Sequence, residues 1–170
     1  ESAVRDLVKH QNKSVSVNLI TFNAGGFNVD CDSNIYLIKG NYTFIKVFKF
    51  AKLLYQLKNQ FGDQLIIHTH LTWALYLTCL IRSFTKFKHI HTEHSVTTKR
   101  RKIWFKNIEI FVYRSLDAVI YVSEAAKGSL ETWVGKSNVG RSAVIYNLFD
   151  LSNFNLKKSY DRPQTHFLSV

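Results

Sequence analysis

The hydrophobic pattern changes period along the chain. In residues 2–12 (SAVRDLVKHQN), Leu7 and Val8 follow Val4 at steps of three and four, which predicts one apolar helical face. Residues 15–22 (VSVNLITF) are apolar and β-branched and predict a strand. A loop with two glycines follows (NAGG), then a short strand over 34–39 closed by Gly40. Residues 43–59 predict a helix: Val47, Phe50, Ala51, Leu54 and Leu57 share one face, and Lys46, Lys49 and Lys52 step along another. Beyond it the pattern predicts strands at 65–69, 88–92, 118–122 and 143–146, separated by helices at 73–84, 103–115 and 124–134.

These later strands are continuous apolar runs, as expected of strands covered on both faces. Alternation of such strands with helices predicts an α/β fold: a Rossmann-like, doubly wound, mostly parallel sheet with helices on both faces. The stretch KKSYDRPQ carries the single proline and reads as a linker, and HFLSV (166–170) reads as the opening of another strand. The expected organisation is one domain over 1–160, with 161–170 as linker and start of a further domain. The chain contains no Met and opens on a helix rather than a strand. It is expected to be part of a longer protein.

Composition narrows the function classes. A hydrophobic share of 46% excludes a disordered chain, and 170 residues suffice for one substantial core. The two cysteines, Cys31 and Cys79, make no disulfide framework and suit a reducing cytosolic compartment. The 18 uncharged residues 64–81 approach a membrane span in length, but two histidines, three threonines and a glutamine dilute them. A buried strand followed by a buried helix is the expectation there. The formal net charge of +11 points to an anionic partner: nucleic acid, a phosphorylated ligand or an acidic membrane surface.

Two histidine clusters are the candidate chemistry. IIHTH carries His68 and His70, and HIHTEHS carries His89, His91 and His94 around Glu93. Strand alternation pairs His68 with His70 on one face and His89 with His91 on one face. His70 and the segment Thr92-Glu93-His94 fall at the carboxyl ends of neighbouring strands, where open α/β sheets bind ligands. No HExxH or CxxC spacing supports a metal site. His68, His89 and His91 read as fold residues, with His68 and His89 expected to point into the helix layers. His70 and His94 fit either a satisfied strand end or a functional role. After them Lys99, Arg100, Arg101 and Lys102 form a basic run, either a solvated helix start or a site for a phosphate or an acidic head group. No GxGxxG, P-loop or GxSxG pattern is present, so Ser123 is not a nucleophile of that kind.

The succession IIHTHLTWA, HIHTEHS, KRRKIWFKNIEIFVYRSLDAVIYVSEAAKGSL and VIYNLFDLSNF resembles the amino-terminal domain of GT-B type glycosyltransferases of family 4. The shared features are a strand ending in His-x-His and a Thr-x-His-Ser-like strand end. Asp117 with Val122-Ser123 follows, then Tyr146-Asn147-Leu148-Phe149-Asp150 with Phe154. Leu148 and Leu65 depart from the Gly and Asp usual at those places. The resemblance implies a retaining sugar transfer from a nucleotide-sugar to a glycan or lipid-linked acceptor, in polysaccharide or cell-envelope synthesis. It implies that this domain takes the acceptor, and that the donor nucleotide binds a carboxyl-terminal domain. No metal or cofactor is expected beyond the donor as co-substrate. His94 matches the histidine facing the transferred sugar. His70, Thr92, Glu93, Lys99, Arg100, Arg101, Ser123 and Asn147 are the expected substrate-binding residues. The expected location is cytoplasmic, peripheral at the inner face of the membrane, and the stretch alone is expected to be inactive. Two other classes stay open on the residues themselves: a basic nucleic-acid-binding module and a metal-dependent hydrolase built on the clustered histidines.

Overall fold

The computed structural model describes residues 17–22, 34–39, 43–96 and 101–146. Six strands are described: β1 (Asn18–Thr21), β2 (Asn34–Leu37), β3 (Ile66–Thr69), β4 (Lys88–Glu93), β5 (Ala118–Tyr121) and β6 (Arg141–Val144). The helices are α1 (Thr43–Phe61), α2 (Thr72–Arg82), α3 (Lys106–Arg114) and α4 (Glu124–Val134). All strand pairs are parallel. β1 pairs with β2 in one sheet, and β3-β4-β5-β6 form a second in chain order. This is the expected Rossmann-like α/β architecture. The helix expected over 2–12 and the closing strand at 166–170 lie outside the described residues.

Right-handed crossovers between neighbouring parallel strands place α2, α3 and α4 on one face of the four-stranded sheet. Their buried residues make one core: Leu75 and Cys79 of α2, Val112 and Tyr113 of α3, Leu130 and Val134 of α4, over Val119 and Tyr121 of β5. A second core joins the two sheets. Phe50, Leu54 and Leu57 of α1 pack with Ile38 beside the first sheet and with Leu65, Ile67 and Phe87 around β3. Thus the helix periodicity in 43–59 correctly located the buried stripe of α1. Positive φ is used where a chain must turn sharply: Gly62 (56°) follows α1 and Gly135 (87°) follows α4.

Two boundaries differ from the hydrophobic pattern for physical reasons. β6 covers Arg141–Val144 instead of 143–146, because hydrogen bonding to β5 sets it, in register Ala118 with Arg141. Its first three residues are exposed. The helix expected from Ile103 begins with a tight turn at Ile103–Phe105 and becomes α-helical at Lys106. Across the uncharged stretch 64–81 the chain folds as β3 followed by α2. Among the described residues no helix is long and apolar enough to cross a membrane.

The helix layer also holds a buried carboxylate. Glu109 of α3 is 2% exposed and accepts hydrogen bonds from Tyr76 of α2 and Trp133 of α4. It therefore ties three helices together. By contrast, the Tyr121 hydroxyl is buried and has no partner among the described residues. Glu109→Ala should lower unfolding free energy by about 1–3 kcal/mol, because it removes the acceptor of two half-buried donors. Tyr121→Phe should be neutral or stabilising by up to about 1 kcal/mol, since it removes an unsatisfied group. Denaturant midpoints of the two variants check the contrast, and an equal loss in both would contradict it.

Candidate active site at the strand ends

The carboxyl ends of β3 and β4 are built from two opposite-facing rows of polar side chains. Parallel register places His68 opposite Ile90 and Thr69 opposite His91. Alternation then sends Thr69, His89, His91 and Glu93 toward the helix layer, and His68, Thr92 and the residues beyond the strands toward the open side.

The inner row is buried and interconnected. His89 and His91 are 0% and 3% exposed. Thr69 Oγ1 lies 3.0 Å from His89 Nε2 and 3.0 Å from His91 Nδ1. His89 Nδ1 stands 3.7 Å from the Cys79 thiol, and His91 Nε2 stands 3.9 Å from Glu93 Oε2. Glu93 accepts from the Tyr113 hydroxyl at 2.6 Å and from the Ser95 N–H at 3.0 Å. Burial pushes the Cys79 thiol up. Below this row, Asp117 accepts from the His89 N–H at 2.7 Å and pairs with Arg82 at 2.9 Å. It thereby joins the starts of β4 and β5 to the end of α2.

The outer row is the crevice. The rings of His68 and His70 lie 4.2 Å apart, and those of His70 and His94 lie 5.8 Å apart. His68 Nε2 is 2.8 Å from Thr92 Oγ1, which fixes the ring that starts the row. His70 Nδ1 is buried and lacks a hydrogen-bond partner among the described residues. The His70 pKa is pushed down to about 3, first by burial and then by the neighbouring His68. Burial also lowers His94, with Glu93 opposing it, and lowers His68. These are neutral imidazoles near neutral pH. Each ring then offers one donor and one acceptor, suited to hydroxyl groups.

The expected site residues fall into groups. His70 and His94 stand on the face opposite the helix layer, and Thr92, buried there, bonds His68. Glu93 is 3% exposed and turned inward, where both oxygens are engaged; it positions the strand tip. Ser123 caps α4 by accepting from the Ala126 N–H at 3.1 Å, at the carboxyl end of β5. Arg101 Nη1 donates to the Val96 carbonyl at 2.9 Å and to Ser129 of α4, while its buried Nη2 has no partner among the described residues. Lys99, Arg100 and Asn147 lie outside the described residues.

His68 is the residue that sequence reasoning missed. It was expected to point into a helix layer, yet it stacks beside His70. Its two-residue spacing from His70 was the available signal. Tyr113, which holds Glu93, gave no such signal. The alternation also separates the five clustered histidines onto two faces. No group of three His, Cys, Asp or Glu side chains able to hold a metal ion occurs among the described residues. A surface depression lies elsewhere, on α3, lined by Asn107, Ile110, Phe111, Arg114 and Ser115. It contains none of this chemistry.

Parallel strands, a right-handed helix layer and polar rings gathered outside the strand carboxyl ends define one ligand-binding half of a Rossmann-like protein. The family model described as Glycosyltransferase Family 4 matches residues 1–153. The chain therefore belongs to that family, and the fold is that of the amino-terminal domain of a GT-B type glycosyltransferase. No curated protein matches the chain in sequence.

His70 and His89 are both held down to about 3, chiefly by burial, from an ordinary value of 6.5. Between those limits the unfolded chain binds protons that the folded chain does not. Their contribution is thus complete above pH 6.5 and is lost as pH falls toward about 3. Urea midpoints measured across that range should fall with acidification. His89→Asn should flatten the profile even if it lowers the whole curve; an unchanged slope would count against neutral, buried imidazoles.

Proposed function

We propose that this domain presents the acceptor to a retaining glycosyltransferase that moves a sugar from a nucleotide-sugar to a glycan or lipid-linked acceptor. The observation that carries the reading is the row His68–His70–His94, with a buried His70 nitrogen in its middle that has no partner among the described residues. In the transfer, the bond from the sugar's anomeric carbon to the departing phosphate oxygen breaks. An acceptor hydroxyl oxygen bonds to that carbon from the side the phosphate leaves and passes its proton to the departing phosphate oxygen. Neutral His94 hydrogen-bonds the sugar being transferred and stabilises the charge that develops on it. His70 accepts from or donates to an acceptor hydroxyl, and Thr92 holds the row through His68. Lys99, Arg100 and Arg101 meet phosphate on the acceptor. Glu93 acts by fixing the strand tip, and Ser123, at the carboxyl end of β5, and Asn147 complete the substrate-binding set. The nucleotide belongs to a carboxyl-terminal domain, so the isolated stretch is inactive. The nucleotide-sugar is the only co-substrate, no metal takes part, and the work is done at the cytoplasmic face of a membrane, in polysaccharide or cell-envelope synthesis.

In the full-length enzyme, His94→Ala should lower kcat by about 10²–10³-fold with little change in thermal stability, as loss of one transition-state hydrogen-bonding group does. His70→Ala should mainly raise KM for the acceptor. Steady-state kinetics of both variants check the assignment. Normal turnover by His94→Ala would remove that residue from the chemistry. Tight, salt-sensitive RNA or DNA binding by the wild type would favour the nucleic-acid module instead.

A further inference from the structure

The backbone that carries His94 lies beyond the sheet. The last pair of β3 with β4 is Thr69 with His91, and the last pair of β4 with β5 is Glu93 with Tyr121. One further bond, from the Val122 N–H to the Glu93 carbonyl, closes β4. Past that point side chains hold the chain. Glu93 Oε1 accepts from the Ser95 N–H at 3.0 Å, bridging over His94. The Val96 carbonyl accepts from Arg101 Nη1 at 2.9 Å and from Ser129. His94 itself is exposed, so core packing does little to place it.

A glutamate side chain has several rotatable bonds, and it fixes a turn only if it is itself held. Tyr113 of α3 holds it. The Tyr113 hydroxyl donates to Glu93 Oε2 at 2.6 Å, a length typical of a hydroxyl bonded to a carboxylate. Tyr113 is buried in the helix-layer core with Leu75, Cys79 and Val112, and its ring stands edge-on to His91. Support therefore runs from the core through Tyr113 and Glu93 to the Ser95 N–H. The pleat sends Glu93 inward and His94 outward. One strand end is thus gripped on its inner face and offers an imidazole on the other. Filling the core at position 113 needs only the ring, whereas gripping Glu93 needs the hydroxyl.

The geometry points to Tyr113 as a positioning residue for sugar transfer, which sets the place of His94 through the two oxygens of Glu93. This inference rests on the role of His94 proposed above. Tyr113 lies in the core and acts only through His94. Its hydroxyl governs turnover and leaves acceptor binding at His70, which follows β3, unchanged.

The full-length enzyme is assayed at a temperature where every variant is fully folded, so that the stability lost with a buried hydrogen bond does not enter. Tyr113→Phe should lower kcat about tenfold or more and leave KM for the acceptor within about twofold, since a displacement of about 1 Å near the reacting atoms is costly. In a His94→Ala background the same change should cost almost nothing further, because the ring it positions is gone. A purely structural role would lower kcat equally in both backgrounds, and that result overturns the proposal. A second readout needs no turnover. Hydrogen exchange at the Ser95 amide should quicken at least about tenfold in Tyr113→Phe and in Glu93→Ala, and stay slow in Glu93→Gln, which keeps an acceptor oxygen. Unchanged exchange in Tyr113→Phe also overturns the proposal. Normal turnover by His94→Ala would remove the transfer role of His94 and this proposal with it. Slow turnover by His94→Ala beside an unaffected Tyr113→Phe would overturn this proposal alone.

Discussion

A single hydroxyl sets the polarity of the whole inner row. Thr69 Oγ1 contacts ring nitrogens of both His89 and His91 at 3.0 Å, yet it has only one proton to give. Glu93 already accepts from Tyr113 and Ser95, and His91 Nε2 faces the same carboxylate. His91 therefore carries its proton on Nε2 and accepts from Thr69 on Nδ1. His89 must then donate from Nε2 to Thr69, and its bare Nδ1 faces the Cys79 S–H. Each of these contacts then has one donor and one acceptor, and only the longer 3.4 Å approach of Thr69 Oγ1 to the Ile90 carbonyl goes without a proton. The reverse order fails at the carboxylate. Because the row is complete only with β3 and β4 in this register, it also fixes which side chains remain on the other face. His68, His70, Thr92 and His94 reach the crevice because their neighbours are committed inward.

The same inward commitment shapes the surface charge. Glu93 and Glu109 are buried, Asp117 pairs with Arg82, and Asp63 lies 2.8 Å from Lys58. Much of the acid is thus spent inside or on a partner, while lysines of α1 and of the turn before α3 remain outside. A buried carboxylate held by a tyrosine and a tryptophan gives the helix layer directional contacts that apolar packing lacks.

Element types were legible because their periods differ. Phe50, Leu54 and Leu57 recur at helical spacing and are buried, and the apolar runs at β3, β4 and β5 are paired strands. The edges were less legible where pairing decides them, as at Arg141 of β6, which enters a strand through hydrogen bonds to β5. At the site, the two-residue alternation separated the histidines correctly into pairs. It assigned His68 to the wrong layer, because periodicity says which residues share a face and not what covers that face. Likewise Phe48 and Trp73 look like core residues by composition, and only the packing of α1 and α2 leaves them outside.

By itself the sequence determined the α/β order, the buried stripe of α1 and the placement of His70 and His94 at strand ends. These follow from local periodicity, which the chain carries whatever it packs against. Only the tertiary structure decided that Glu93 turns inward to Tyr113, that His68 stands beside His70, and that Phe48 and Trp73 stay exposed. Those outcomes depend on the hand of the crossovers and the register of β3 on β4, which bring together residues twenty or more positions apart. No local pattern along the chain encodes such a meeting.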